Sequence, residues 1–278
     1  MSDVVTIKKI KDEAYDTKTF VFDWDAQVRP GQFIMIWIPG TDEIPMSVSG
    51  ICEHTKSITV KAIGDATRRL HEFKEGDKLS IRGPFGNGFD LSSKDILIIG
   101  GGVGTAAVMP AVVQTGADTI IAARSDKDLI MLDTARKHAA NLWIATDDGS
   151  AGFHGNAVQL MKEKLKEKSY KYIIACGPEV MLYFTYKACE ELNQDCQLSL
   201  ERYMKCGAGV CACLYHCRHD GCCSDSSSDD EDILAGKVES VTERASDGEL
   251  VALLELMEFL GGIAYRFDRD ALGVLAYA

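Results

Sequence analysis

Four short, uninterrupted apolar runs constrain the fold of this chain more than any other feature: Asp95-Ile-Leu-Ile-Ile99, Thr119-Ile-Ile-Ala-Ala123, Leu142-Trp-Ile-Ala145 and Tyr172-Ile-Ile-Ala175. A strand with one wet face alternates apolar and polar residues, whereas a strand that is apolar throughout has both faces covered. Helix-compatible stretches separate the runs, and strands that alternate with helices build a parallel sheet with helices packed on it. An α/β domain is therefore expected over residues 94–200. Upstream the pattern is different. Short β-rich segments at 4–10, 19–24, 33–38, 58–62 and 78–81 are punctuated by Pro30-Gly31, Pro39-Gly40 and Gly76-Asp77, which predicts a small antiparallel barrel over residues 1–93.

The 42 acidic and 30 basic residues give a formal charge of -12, which repels a phosphate backbone and argues against nucleic acid or an anionic membrane as a partner. No basic-then-apolar leader opens the chain, and no apolar run reaches the length of a membrane span. A reducing cytoplasm is the expected compartment. There, clustered thiols serve metals or redox chemistry more often than disulfides.

Such a cluster is present. Cys206, Cys211, Cys213, Cys217, Cys222 and Cys223 place six of the ten cysteines within residues 206–223, and Gly207 and Gly209 permit the backbone wrap that convergence on one centre requires. The C-x4-C opening matches the start of plant-type 2Fe-2S ligation, but Leu214 stands where that pattern places its third cysteine. A structural zinc knot and a disulfide tangle are the alternatives. Beyond the acidic, serine-rich stretch 224–232, residues 236–278 hold one amphipathic helix pattern near 249–260 and no assigned role.

Two strand ends carry nucleotide-binding character. Gly100-Gly-Gly-Val-Gly104 follows the first apolar run and leads into a helix, so a phosphate can approach the backbone there. Thr105 occupies the place of the last small residue of a dinucleotide fingerprint, and an unliganded tight turn is the competing reading. Cys176-Gly177-Pro178 ends the last run at the sheet edge where ligands bind; Cys176 is either apolar filler or a thiol beside a ligand. In the barrel half, Pro45-Met46-Ser47 offers a hydroxyl on a proline-started strand. Gly64-Asp-Ala66-Thr67-Arg68-Arg69 offers a glycine turn, a hydroxyl and two cations. Alone, Ser47 reads as a strand cap and the arginines as a solvated face.

The order of Pro45-Met-Ser47, Gly64-x-x-Thr67, Gly83-Pro-Phe-Gly86, Gly100 to Gly104, Cys176-Gly-Pro178 and a closing cysteine cluster resembles the ferredoxin reductase-like flavoproteins. Within them it is similar to the electron-transfer subunits of NAD-dependent dihydroorotate dehydrogenase B, over about residues 4–235. The resemblance implies an FAD-binding barrel (1–93), an NAD-binding α/β domain (94–200), a 2Fe-2S segment (201–235) and a tail (236–278). It implies that Pro45, Met46, Ser47, Ala66 and Thr67 contact FAD and that Gly101, Gly102, Gly104, Cys176, Gly177 and Pro178 line the nicotinamide nucleotide. It gives Cys206, Cys211, Cys213 and Cys223 as cluster ligands, with Cys213 replacing a residue the family places at 214. Ile44 replaces the arginine that opens the flavin motif in the wider superfamily, leaving Arg68 or Arg69 to meet the flavin phosphate. The implied partner is an FMN-containing dihydroorotate dehydrogenase catalytic subunit in a heterotetramer serving pyrimidine synthesis. Alternatives of the same build are subunits of a ferredoxin:NADP reductase or sulfide dehydrogenase; a zinc-binding, non-enzymatic module is the alternative of another class.

Overall fold

The structure, a computed structural model, describes residues 2–201 together with the segments Gly262–Asp268 and Gly273–Tyr277. Six strands, β1 (Asp3–Ala14), β2 (Thr17–Asp23), β3 (Phe33–Trp37), β4 (Glu43–Ile51), β5 (Thr55–Lys61) and β6 (Lys78–Phe85), close an antiparallel barrel in the order β1-β2-β5-β4-β3-β6. Period-two alternation fills it. Phe20 and Phe22, Ile34 and Ile36, Ile58 and Val60, and Leu79 and Ile81 all lie in one buried cluster. The short helix α1 (Asp65–His71) connects β5 to β6 and sets Leu70 into that core.

The apolar runs become the central strands of one sheet: β7 (Ile96–Gly101), β8 (Asp118–Ala123), β9 (Leu142–Thr146) and β11 (Tyr172–Cys176). β10 (Phe153–His154) and β12 (Asp195–Glu201) extend it, and β13 (Gly262–Asp268) and β14 (Gly273–Tyr277) add an antiparallel hairpin beyond β12. The order is β10-β9-β8-β7-β11-β12-β13-β14, with every pair up to β12 parallel. Both faces are covered, as the runs require. On one face Leu97, Ile99, Ile120 and Ile173 meet α4 (Ala157–Glu167) and α5 (Glu179–Leu192). On the other, Ile96, Ile98, Ile121 and Ile174 meet α2 (Thr105–Thr115) and α3 (Leu132–His138).

The sequence reading gives no strand to 195–201 or 262–277. In β12 the polar Gln197 and Ser199 interrupt the apolar residues Cys196, Leu198 and Leu200, which all face the α5 side, so no continuous run marks it. The pattern at 249–260 lies outside the described residues.

Among the described residues several contacts join barrel and sheet. Helix α2 packs on β4. The nearly buried Glu13 carboxylate accepts the Met131 N–H at 3.2 Å and a Thr19 hydroxyl at 3.1 Å. The linker after β6 inserts Phe89 into the apolar cluster beneath α2.

At the opposite, amino-terminal edge of the sheet, Asp118 is buried and accepts Asn141 Nδ2 at 2.7 Å, the Tyr170 hydroxyl at 2.8 Å and Lys168 Nζ at 2.9 Å. Burial pushes this carboxyl up, but the three hydrogen bonds and the Lys168 charge outweigh it and hold it below its ordinary value of 3.8. Burial and the Asp118 carboxylate push the Tyr170 phenol upward. A carboxyl that titrates lower when folded stabilises fully above the unfolded value, and the contribution is lost as pH falls through the folded one. Asp118→Asn is expected to lower stability at pH 7 by about 3 kcal/mol. The gap from the parent narrows as pH drops below 3.8, a trend read from urea unfolding between pH 7 and pH 2.

Candidate functional site

The sheet order contains one reversal. From β7 the chain moves to β8, β9 and β10 on one side, then crosses to β11 on the other, so the connections leaving β7 and β11 diverge. Such a switch point opens a crevice at the carboxyl ends of the two strands. Gly100 to Gly104 and Cys176-Gly177-Pro178 form its floor, with Gly100 and Cys176 in register.

The two loops touch backbone to backbone. A Cβ added at Gly104 would sit 2.6 Å from the Cys176 carbonyl carbon and from Gly177 Cα. One at Gly101 would meet Met181 Sδ at 2.5 Å and Pro178 Cδ at 3.1 Å, and one at Gly177 would lie 3.0 Å from Gly101 Cα. Gly102 differs: its φ is +52° and nothing lies within 4 Å of an added Cβ, so it is the glycine that faces open space. Thr105 starts α2 directly behind this turn. Its hydroxyl is fully buried without a protein partner, a cost of about 1–3 kcal/mol carried at the root of the loop.

The barrel supplies the facing wall. Pro45, Met46 and Ser47 pair with Met35, Ile34 and Phe33 in the middle of β4. Met46 turns toward the barrel core, which leaves Pro45 and Ser47 on the outer face of β4, the strand on which α2 packs. The turn Gly102–Gly104 also approaches β5. Ala66 packs against the barrel core from α1. The Thr67 hydroxyl accepts the Ile63 and Gly64 N–H groups and donates to the Gly64 carbonyl, each at 3.0 Å. That hydroxyl is consumed inside the turn, together with the Ile63 and Gly64 N–H groups that it accepts.

Arg68 pairs with Asp65 at 3.4 Å and Arg69 pairs with Glu72, all on exposed side chains. Exposed pairs of this kind contribute about 0–1 kcal/mol, so either arginine can exchange its partner for an anion at little cost. Ile44 packs against the barrel interior.

The structure brings Gly101, Gly102, Gly104, Cys176, Gly177 and Pro178 to one crevice, with β4 on the barrel side. Cys176 is buried and belongs to the apolar cluster on the α2 face. Cys206, Cys211, Cys213 and Cys223 lie outside the described residues. Among the described residues no three His, Cys, Asp or Glu side chains are grouped to hold a metal, and Cys52, Cys176, Cys189 and Cys196 form no disulfide with one another. Contact with Cys189 and burial push the Cys196 thiol well up, so Cys196 serves as packing. Sequence reasoning missed Met181, which seals Gly101 against Gly177. Its place four residues after Gly177, in the first turn of the helix behind Pro178, was the available signal.

No family model matches the chain. Curated relatives do. A Thermoplasma acidophilum protein described as "Probable dihydroorotate dehydrogenase B (NAD(+)), electron transfer subunit" is 43% identical over 207 residues, covering 74% of this chain and 81% of its own. Relatives of the same description from Thermoplasma volcanium and Methanocaldococcus jannaschii are 47% identical over 199 residues and 41% identical over 213. The chain belongs to this family of electron-transfer subunits. Among solved structures, the NADH-dependent reduced ferredoxin-NADP oxidoreductase superposes with a TM-score of 0.65 at 28% identity, over 76% of this chain and 81% of that one. The ferredoxin reductase of carbazole 1,9a-dioxygenase superposes with a TM-score of 0.61 at 20% identity, a likeness of fold.

For this family member the glycines make unequal demands. Gly102→Ala adds only the left-handed backbone penalty of about 1–2 kcal/mol. Gly104→Ala, at an ordinary helical φ of -61°, carries no such penalty but drives a Cβ into the Cys176–Gly177 backbone, which forces the two loops apart at about 3 kcal/mol. Denaturant unfolding should rank Gly104→Ala as the less stable.

Proposed function

We propose that the chain carries electrons from the FMN of a dihydroorotate dehydrogenase catalytic subunit, through a 2Fe-2S cluster and FAD, to NAD+, in pyrimidine synthesis. The observation that carries this reading is the single crevice formed by the two glycine-bearing strand ends and the outer face of β4, in a chain 37–47% identical to curated subunits named for that electron transfer. FAD exchanges a hydride with nicotinamide and single electrons with an iron–sulfur centre, which is the chemistry such a bound group supplies.

The residues fit that group. Pro45 and Ser47 on the outer face of β4, with the backbone of Met46, Ala66 and Thr67, would hold FAD; the open face at Gly102 would admit a second flat group. Gly101 and Gly104 allow the loop to close on Gly177 and Pro178, so those residues line the nicotinamide nucleotide. The buried Cys176 and the apolar cluster behind it keep water from the floor of the crevice. Residues 1–93 act as the FAD-binding barrel and 94–200 as the NAD-binding domain. Cys206, Cys211, Cys213 and Cys223 of 201–235 are the proposed cluster ligands, on the C-x4-C spacing and the family resemblance. Residues 236–278 include the hairpin that completes the sheet.

The name shared by the relatives calls for a catalytic partner; the FMN subunit, a heterotetramer and a cytoplasmic site are the finer parts of the proposal. The solved ferredoxin-NADP oxidoreductase neighbour favours one second reading, the same subunit serving a ferredoxin:NADP reductase. Among the described residues no helix is long and apolar enough to cross a membrane.

Protein purified without oxygen should show flavin absorption, one FAD per chain, and iron and acid-labile sulfide in equal amounts. Cys206→Ser should lose the iron and keep the FAD. A colourless protein that binds zinc would overturn the proposal.

A further inference from the structure

Gln197 is out of place by composition. In the sheet its register partners are Ile174 and, one strand on, Ile98 on the β11 side, both fully buried and apolar, and Arg266 on the β13 side, and Gln197 itself is only 2% exposed. A buried amide costs free energy unless both its ends are bonded. Both ends are spent on one residue of the linker: Gln197 Oε1 accepts the Asp90 N–H at 2.9 Å and Nε2 donates to the Asp90 carbonyl at 3.0 Å. The Tyr172 hydroxyl donates to the same carbonyl at 2.7 Å.

The preceding peptide faces the other way. The Phe89 N–H donates to the Pro30 carbonyl of the barrel at 2.8 Å, and the Phe89 ring lies so close to Gly31 that an added Cβ would sit 2.9 Å from it. The ring then enters the apolar cluster under α2. Two successive residues are therefore fastened to the two halves of the molecule.

We infer that Gln197 is a positioning residue: by clamping Asp90 it fixes the barrel against the sheet, and so sets how the β4 face meets the loops at Gly102 and Gly177. The inference rests on the proposed reading of that crevice as the flavin and nicotinamide site. The same residue stands on β12, whose last residue, Glu201, precedes Cys206 by five positions, so one clamp ties the cysteine segment's root to the linker. An apolar side chain would fill the row as well; it would not hold the linker.

The remote contact between Glu13 and Met131 reads the clamp. Met131 follows β8, three strands from β12, or about 14 Å at the usual strand spacing. Gln197→Met keeps volume and removes both bonds. Asn141→Ala, which strips a bond from the Asp118 cluster at the far edge, is the control for lost stability alone.

Amide exchange at Met131, measured without added cofactor, should quicken about tenfold in Gln197→Met and stay near the parent rate in Asn141→Ala. In FAD-loaded protein, Gln197→Met should slow flavin reduction by NADH about tenfold with NADH affinity unchanged. Equal exchange in the two variants overturns the inference, as does quickened exchange with unaltered flavin reduction. Should Gln197→Met fail to fold, Tyr172→Phe removes one bond to the same carbonyl and should shift both readouts the same way by less; no shift overturns the inference. Parent protein that takes up no flavin defeats the FAD reading, and the exchange comparison still decides the clamp.

Discussion

The contact between Gly104 and the Cys176–Gly177 peptide is the constraint on which the rest depends. At 2.6 Å from a would-be Cβ, no side chain can stand there, so two strand ends meet at backbone distance. That closeness turns the switch point into a narrow floor, on which Gly102 faces open space. The parallel pairing of β7 with β11 puts the loops level, since Gly100 and Cys176 are in register. Continuous apolar runs bury both faces of those strands and keep the edge rigid.

The crevice needs its second wall, and the barrel brings it through sparse but directed contacts. Packing of α2 on β4 supplies area. Glu13 on Met131 and Asp90 on Gln197 supply orientation, each using a buried polar side chain against a backbone group. Buried polar groups specify geometry because leaving one unbonded is costly, whereas apolar contacts tolerate sliding. Asp118, by contrast, secures the opposite edge of the sheet and leaves the crevice untouched.

Much of this was legible in the sequence, for physical reasons. The four apolar runs identify β7, β8, β9 and β11 because burial on both faces leaves no other pattern, and Gly100 to Gly104 and Cys176-Gly-Pro178 mark their ends. The barrel strands follow from alternation and turn residues. β12 was hidden because Gln197 sits where an apolar residue belongs, and its partner is a backbone more than a hundred positions earlier. α1 was hidden because about two turns of helix directly after Gly64 look like a loop, and the Thr67 hydroxyl looked free because its acceptance of nearby N–H groups is a matter of geometry. Met181 gave a local signal only once Gly177 and Gly101 were known to touch.

The central claim is that a flavin on the β4 wall and a nicotinamide on the glycine floor lie face to face. Anaerobic addition of NAD+ to dithionite-reduced protein tests it most directly. A broad long-wavelength charge-transfer band, saturating at one NAD+ per flavin, is the predicted result. Tight NAD+ binding with no new band would place the nucleotide away from the flavin and contradict the account.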